Sequence, residues 1–246
     1  MLCINNTYTD AYFNLAAEEY LLKNFQDDVF MLYQDEPSVI VGKHQNVQAE
    51  VNLDYAIKNK IKIVRRFSGG GTVFHDLGNL NMTFIETGNN LDFSKFTRQT
   101  IDMLSELGIK AVADERRALN INGLKISGSA QCVQKNRVMY HATLLFSSDL
   151  SHLVTSLEGD LDELERVSDK KAYVKSVKSP VTNIIDHLQE PIDINTFKKY
   201  IIDFFLNKQV DNKIYQFSDQ DVSAIKKLEE VKYATEEWNY RAYSKL

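Results

Sequence analysis

The chain has 246 residues, of which 43% are hydrophobic and 26% are charged, so it can form one large globular domain. Its 29 basic and 34 acidic residues give a net charge of −5, which argues against a general nucleic-acid binder. No apolar run approaches the length of a membrane span and no signal peptide is indicated, so we predict a cytoplasmic protein without nucleic-acid or membrane partners.

Hydrophobic patterning predicts the elements of the first half of the chain. Apolar residues near helical spacing predict a helix over 10–25, with Asp10 as its N-cap. A second helix is predicted to be capped by Ser94 and to run through Leu107, with Gly108 marking its end. Short β-branched or aromatic runs predict strands over 29–33, 38–41, 61–67, 72–75 and 80–86.

The second half begins with strands and then becomes helical. Asn122-Gly123 between two apolar runs predicts a type I′ hairpin over 118–127, followed by a strand over 137–146 and a short helix that begins at 148–149. Caps at Asp193 and at Ser218 or Asp219 predict helices over 194–206 and to about 231. The charged region 158–178 is predicted to be an exposed, mobile connection.

The stretch from Arg65 to Asp76 is the most informative part of the sequence. A strand runs into two arginines and the three glycines Gly69, Gly70 and Gly71, and then resumes as a strand. Glycines let backbone come close to a ligand, and N–H groups beside an arginine suit a phosphate or acyl-phosphate. The alternative is a glycine-rich turn followed by a solvated arginine pair. No P-loop or dinucleotide-binding fingerprint is present.

Lys125 is the candidate partner of this anion site. Strand alternation places Lys125 and Ser127 on one face, and a lysine that points into a cavity is costly unless it meets an anion. The alternative is a lysine on a solvated strand edge. His75 and His141 favour structural roles, and Cys132 has no evident base. No metal-ligand spacing is found, so we predict no metal site formed by the protein.

Four ordered motifs resemble those of lipoate-protein ligase A and related lipoyltransferases. They read R-R-F-S-G-G-G-T-V-F-H-D-L-G-N, L-K-I-S-G-S-A, H-A-T-L-L-F-S-S-D-L and V-T-N-I, and the match covers roughly residues 8–188. The resemblance implies an α/β (α+β) catalytic domain, with a mixed central sheet flanked by helices, like biotin protein ligase and class II aminoacyl-tRNA synthetase cores.

The resemblance also implies a reaction and its partners. Lipoate would be activated with ATP and Mg²⁺ as lipoyl-adenylate, and the lipoyl group would pass to a lysine of a lipoyl-domain protein. The implied acceptors are the acyltransferase subunits of 2-oxoacid dehydrogenases and the glycine-cleavage H protein. A separate accessory protein is a further implied partner.

The same resemblance assigns roles to residues. Lys125 would be catalytic, since its ammonium would touch the acyl carbonyl and the α-phosphate, while Arg66 would contact the adenylate phosphate. The implied binding residues for lipoyl-adenylate and ATP are Arg66, Ser68, Gly69, Gly70, Gly71, Thr72, Val73, Phe74, His75, Lys125, Ser127, Gly128, His141 and Thr143.

Three departures from the family pattern keep alternatives open. The family's Asn-Asp pair near Mg-ATP is replaced by Arg117-Ala118, which should weaken Mg²⁺ binding, and Pro180 replaces a common arginine. The third departure is at the end of the sequence: we expect a catalytic core over 1–190 and a helical part of the same domain over 191–246, without the small accessory domain.

The main hypothesis is a lipoate-protein ligase. The alternatives are a lipoyltransferase that uses pre-activated or protein-bound lipoyl groups, and a non-catalytic module that binds lipoyl-adenylate or lipoyl domains.

Overall fold

The computed structural model describes residues 1–88, 92–168 and 174–240. Within these ranges the chain forms one six-stranded and two three-stranded sheets with helices packed around them, which confirms the predicted α/β class. The strands are β1 (Leu2–Asn5), β2 (Val29–Tyr33), β3 (Ser38–Val41), β4 (Lys62–Arg65), β5 (Val73–His75), β6 (Asn79–Thr87), β7 (Val112–Ala113), β8 (Leu119–Ile121), β9 (Leu124–Ser127), β10 (Ser129–Gln134), β11 (Arg137–Leu145) and β12 (Lys213–Ile214). The α-helices are α1 (Ala11–Asn24), α2 (Val47–Glu50), α3 (Leu53–Lys58), α4 (Ser94–Glu106), α5 (Leu150–Ser156), α6 (Leu161–Ser168), α7 (Ile194–Leu206), α8 (Asp219–Leu228) and α9 (Glu236–Tyr240).

The six-stranded sheet is mixed and is covered on both faces. Its order is β10-β11-β6-β2-β1-β12, with β1 parallel to both of its neighbours and the other pairs antiparallel. Strand β2 shows why both faces are buried: Met31 packs toward α1, whereas Phe30 packs toward α4 and α7. Aliphatic and aromatic burial on both sides makes this sheet the rigid base of the molecule.

The two small sheets position the predicted chemistry. Sheet β4-β3-β5 contains the connection between β4 and β5, which we call the glycine loop, residues Arg66–Thr72. Sheet β7-β8-β9 contains the predicted Asn-Gly hairpin, where Asn122 has φ 51° and Gly123 has φ 81°, as a type I′ turn requires. This hairpin holds Lys125 on β9, whose edge pairs in parallel with Val181.

Most predicted elements are confirmed within a few residues, and the differences have local causes. Ser94 is not the N-cap of α4 but its first residue, and its N–H donates to the Asp92 carboxylate at 3.0 Å. The region 158–178, predicted to be an exposed, mobile connection, is mostly exposed where the chain is described. It is not an irregular connection throughout, because α6 lies in it and Ser176 packs on Gly71, and its mobility stays a prediction. Residues 169–173 of that prediction lie outside the described residues.

The helical part over 191–246 lies against the same large sheet as far as it is described. Strand β12 pairs with β1, α7 packs on the face that contains Phe30, and α8 packs on α1. The division into a core over 1–190 and a helical part stays a prediction. Among the described residues, no helix has the length and apolar character needed to cross a membrane.

Candidate functional site

Two cavities meet at Lys125. The first, of about 230 Å³, extends toward Leu15, Tyr33, Ile40 and His75, and the second, of about 400 Å³, is bounded by α2, α5 and the start of α6. The residues that line both cavities are Thr72, Val73, Lys125, Gly128, Thr143, Lys175, Ser176, Val177 and Ser179. A bipartite ligand could therefore place its two halves in the two cavities and its junction against Lys125.

The glycine loop is shaped by a close backbone approach and a buried arginine. A Cβ at Gly42 would lie 2.0 Å from the carbonyl oxygen of Gly70, and Gly70 itself has φ +88°, so both positions require glycine. The Arg66 guanidinium donates to the carbonyls of Ile40, Gly69 and Gly71 at 3.0, 2.6 and 2.6 Å. Burial lowers the pKa of Arg66 to about 10. Arg66 thus braces the loop, and its predicted contact with a phosphate stays a prediction.

A second polar chain ties the loop to the large sheet. The Oγ of Ser68 lies 2.8 Å from Nε2 of His141, and Nδ1 of His141 lies 3.0 Å from a Glu18 carboxylate oxygen. Glu18 also accepts from the hydroxyls of Tyr33 and Thr83. Burial opposes ionisation of Glu18, but His141 and the hydroxyl donors overcome it, so the pKa of Glu18 is lowered. The loop is consequently held by a buried anion on α1.

His75 lines the first cavity. Its Nδ1 lies 2.7 Å from Asp35 Oδ2, and that carboxylate also accepts from the side-chain amides of Asn14 and Asn81. The other ring nitrogen, Nε2, is buried and has no hydrogen-bond partner among the described residues. The hydrogen bond to Asp35 thus fixes the His75 ring in the wall of this cavity.

Lys125 is held by its backbone while its ammonium remains available. Its N–H donates to Pro180 O at 2.8 Å, and its carbonyl accepts from Thr182 N–H at 3.1 Å. Within residues 1–88, 92–168 and 174–240, Nζ has no hydrogen-bond or ion-pair partner. Burial lowers the pKa of Lys125, a change that Asp114 opposes and Arg116 reinforces. The desolvated cation would gain most from a ligand anion.

Other charged side chains surround this junction. Arg116, Lys175 and Asp114 also line the first cavity, and Lys178 lines the second. Arg117 was expected to place a positive charge at the nucleotide site. Instead, its guanidinium lies 5.9 Å from the Phe93 ring centroid, and Arg117 lines neither cavity. A left-handed backbone at Arg117, φ 64°, accompanies this orientation. The cation that faces the cavity is therefore Arg116.

The structure brings together most of the residues predicted from sequence. Those that line a cavity are Arg66, Gly71, Thr72, Val73, Phe74, His75, Lys125, Ser127, Gly128, His141 and Thr143. Ser68, Gly69 and Gly70 line neither cavity. They form the part of the glycine loop to which the Arg66 side chain is hydrogen-bonded. The prediction that Lys125 and Ser127 share a face is confirmed, because both line the second cavity.

Several residues of the site were not predicted. Gln45 holds the glycine loop, Glu18 anchors His141, and Lys175 and Ser176 line both cavities. The sequence contains one signal for Gln45: Gly42 directly follows the β-branched strand β3. A glycine at the end of a strand indicates that another part of the backbone approaches closely there. The basic residues near Lys175 were hidden in a region whose composition resembles a solvated connection.

The chain is similar to known proteins in sequence and in fold. Residues 10–206 match the family model described as the lipoyl protein ligase A/B catalytic domain. The chain is 40% identical over 241 residues to lipoate–protein ligase 1 of Staphylococcus aureus, which covers 96% of the chain and 72% of that relative. A bi-partite lipoate protein ligase from Thermoplasma acidophilum, studied with its E2 lipoyl domain, has TM-score 0.80 and 26% identity over 100% of this chain and 98% of that one. A lipoate-protein ligase A bound with ATP has TM-score 0.78 and 26% identity over 97% and 98%.

Proposed function

The chain belongs to the lipoyl protein ligase A/B catalytic-domain family, and from that premise we propose that it activates lipoate with ATP and transfers the lipoyl group to a protein lysine. The observation that carries the proposal is Lys125, a desolvated cation without a partner among the described residues, at the junction of two cavities. An acyl-adenylate has the matching form, because its phosphate links an acyl arm to a nucleoside.

We propose one orientation of that ligand. Leu15, Tyr33 and Ile40 line the part of the first cavity that would hold an acyl chain. The second cavity is larger and is lined by Phe74, Leu153 and other apolar side chains, which suits a purine and ribose. We therefore place the lipoyl chain in the first cavity and the nucleoside in the second, with the acyl-phosphate against Lys125.

The proposed reaction has two steps. A carboxylate oxygen of lipoate attacks the α-phosphorus of ATP, so that lipoyl-adenylate forms and pyrophosphate leaves. The ε-amine of the acceptor lysine then attacks the acyl carbonyl, the C–O bond to the phosphate breaks, and AMP leaves with that electron pair while the amine loses a proton. The Lys125 ammonium stabilises the negative charge that develops on the carbonyl oxygen and the phosphate. No covalent bond to the enzyme is required.

The residues of this site fit a Mg²⁺ ion that is bound together with the nucleotide phosphates. Among the described residues, no three His, Cys, Asp or Glu side chains form a group that could hold a metal ion. Mg²⁺ is commonly bound by one or two carboxylates together with substrate phosphates, and Asp114 offers one carboxylate in the first cavity. When bound, the ion would neutralise charge on the departing pyrophosphate.

We propose lipoyl domains as the acceptors, as the relative studied with its E2 lipoyl domain suggests. The acyltransferase subunits of 2-oxoacid dehydrogenases and the glycine-cleavage H protein are the proposed examples. The need for a separate accessory protein and the cytoplasmic location stay predictions from the sequence.

The decisive experiment supplies the two half-reactions separately. Purified protein is incubated with an apo lipoyl domain and either lipoyl-adenylate or lipoate plus Mg-ATP, and the mass of the domain is followed. Modification with both supports the ligase, whereas modification with lipoyl-adenylate alone supports a lipoyltransferase. No modification with either, despite binding of lipoyl-adenylate, would contradict the proposal and favour a binding module.

A further inference from the structure

Gln45 lies behind the cavities and lines neither of them, yet its side chain contacts residues that line both. The side chain is fully buried, and its amide is saturated: Oε1 accepts from Gly42 N–H at 3.0 Å and from Thr72 Oγ1 at 2.7 Å. Its Nε2 donates to Val174 O at 2.9 Å and to Ser176 Oγ at 3.0 Å. One amide therefore joins the end of β3, the glycine loop and the segment 174–177, which we call the strap.

Ser176 also ties the strap to the glycine loop and to α2. Ser176 Oγ accepts from Thr72 N–H at 2.8 Å, and Ser176 N–H donates to Glu50 Oε1 at 3.1 Å. A Cβ added at Gly71 would lie 3.0 Å from the same Oγ, so the strap and the loop are already in close contact. Because Thr72 and Ser176 contact each other and both line the two cavities, together they form one wall of the junction at Lys125.

Gln45 is itself fixed from the other side. The fully buried Arg65 guanidinium donates to the carbonyl oxygens of Gly42 and Gln45 at 2.9 and 2.8 Å. Arg65 also donates to the carbonyl of Asn239 on α9 at 3.0 Å, and its own N–H donates to Asn239 Oδ1 at 2.9 Å. The amide of Gln45 is thus presented by a rigid, hydrogen-bonded support, which is the property expected of a group that positions others.

We infer that Gln45 is a positioning residue of the site, which holds Thr72 of the glycine loop and Ser176 of the strap together in the wall that the two cavities share. The inference deepens the proposed function and rests on it for the identity of the ligand. It assigns Gln45 no contact with substrate. Its effect passes entirely through the two residues that its amide binds.

The first test needs no substrate. Limited trypsin digestion of the whole protein, followed by mass spectrometry at the Lys178–Ser179 bond, reports opening of the strap. Gln45→Met keeps the length of the side chain but removes all four hydrogen bonds, and Ser176→Ala removes the strap's own hydroxyl. We expect each variant to be cleaved about 5-fold faster than wild type, the factor for about one lost hydrogen bond. The increase in cleavage rate of the double variant should be smaller than the product of the two single increases, because both substitutions remove the same hydrogen bond between Gln45 and Ser176.

Matched controls separate this effect from general destabilisation. Gln34 is another buried glutamine, which donates to Leu77 O and accepts from Lys198, so Gln34→Met removes two side-chain hydrogen bonds that involve neither the strap nor the glycine loop. Ser105→Ala removes one hydroxyl bond, to Asp102 O at 2.7 Å. If Gln34→Met or Ser105→Ala accelerates cleavage at Lys178–Ser179 as much as the test variants do, the inference is overturned. Ser176→Ala keeps the test valid if Gln45→Met does not fold.

The second test separates positioning from stability by kinetics. In the lipoylation assay we expect Gln45→Met to raise KM for lipoate and ATP about 10-fold while kcat stays within about 3-fold, because the displaced walls weaken binding in ground and transition states alike. A lower kcat at unchanged KM would indicate only a smaller folded fraction and would contradict the inference. If wild type itself does not modify a lipoyl domain, the proposed function fails, and the proteolysis result alone decides the role of Gln45.

Discussion

Ser68 and His141 are joined through an Oγ to Nε2 distance of 2.8 Å, which connects the glycine loop to the middle of the large sheet. His141 in turn lies 3.0 Å from the Glu18 carboxylate on α1. The loop is thus hydrogen-bonded through His141 to a buried carboxylate, in addition to the Arg66 bonds to its carbonyls. A flexible glycine-rich segment becomes a defined ligand wall only with such supports.

Replacement of Glu18 by Gln should make the protein less stable at neutral pH and change its response to acid. We expect a loss of about 1–3 kcal/mol at pH 7, since a buried charge-assisted network is weakened. The pKa of Glu18 in the folded protein lies below its ordinary value of 4.5, so its contribution is full above that value and disappears as the pH falls through the lower one. The difference from wild type should therefore shrink below about pH 4.5 in urea unfolding curves.

An exposed carboxylate gives the control for that experiment. Glu190→Gln removes a charge in an exposed turn, and we expect it to stay within about 0.5 kcal/mol of wild type. A Glu18→Gln difference that remains constant from pH 7 to pH 3.5 would show that the carboxylate charge contributes nothing.

Gly42 should tolerate no side chain, in contrast to Gly69. A Cβ at Gly42 would lie 2.0 Å from Gly70 O, which is a backbone atom and cannot rotate away, whereas a Cβ at Gly69 meets nothing within 4 Å. We expect Gly42→Ala to lower the free energy of unfolding by at least about 2 kcal/mol and Gly69→Ala to change it by less than about 0.5 kcal/mol. Thermal and urea unfolding measure both, and equal losses would refute the close approach.

The sequence predicted the parts of this site whose signals are local. Glycines 69–71 and the Asn122-Gly123 turn indicate their own backbone geometry, and alternation along β9 placed Lys125 and Ser127 on one face. The tie from Gln45 to Ser176 joins residues 131 positions apart, and no local pattern reveals such a pairing. The composition of the strap likewise did not reveal its contacts, because its partners Thr72 and Glu50 lie elsewhere in the chain.

Arg116 and Arg117 illustrate the same difficulty with two adjacent residues. Their order in the sequence made Arg117 the expected charge at the nucleotide site, but the turn from Asp114 to Ala118 directs Arg116 to the cavity and leaves Arg117 beside Phe93. Arg117 has a left-handed backbone, with φ 64°, which changes the direction of its side chain. Non-glycine residues adopt this conformation infrequently, so the sequence does not predict it for an arginine.

Replacement of each arginine by alanine tests the orientation of the two side chains. We expect Arg116→Ala to weaken ATP binding about 5- to 10-fold in titration calorimetry, because Arg116 is close enough to Lys125 to affect its pKa and the proposed function places the phosphate against Lys125. Arg117→Ala removes the same charge from a neighbouring position that faces no cavity and should change the Kd by less than about 2-fold. The opposite ranking would contradict the orientation of this turn.

Lys125 should be required for acyl transfer as a charged group. With lipoyl-adenylate supplied, we expect Lys125→Ala to slow transfer about 10²- to 10³-fold, the usual effect of removing a group that stabilises developing charge. Burial lowers the pKa of Lys125 from its ordinary value of 10.5, so the ammonium is lost as the pH rises through a value below 10.5. Wild-type kcat/KM, which reports the free enzyme, should therefore fall on the alkaline side relative to Lys125→Arg, whose guanidinium keeps its charge. Dividing the wild-type profile by that of Lys125→Arg removes the common titration of the acceptor amine. A ratio that stays flat to pH 10.5, or transfer by Lys125→Ala at the wild-type rate, would remove Lys125 from the catalytic role.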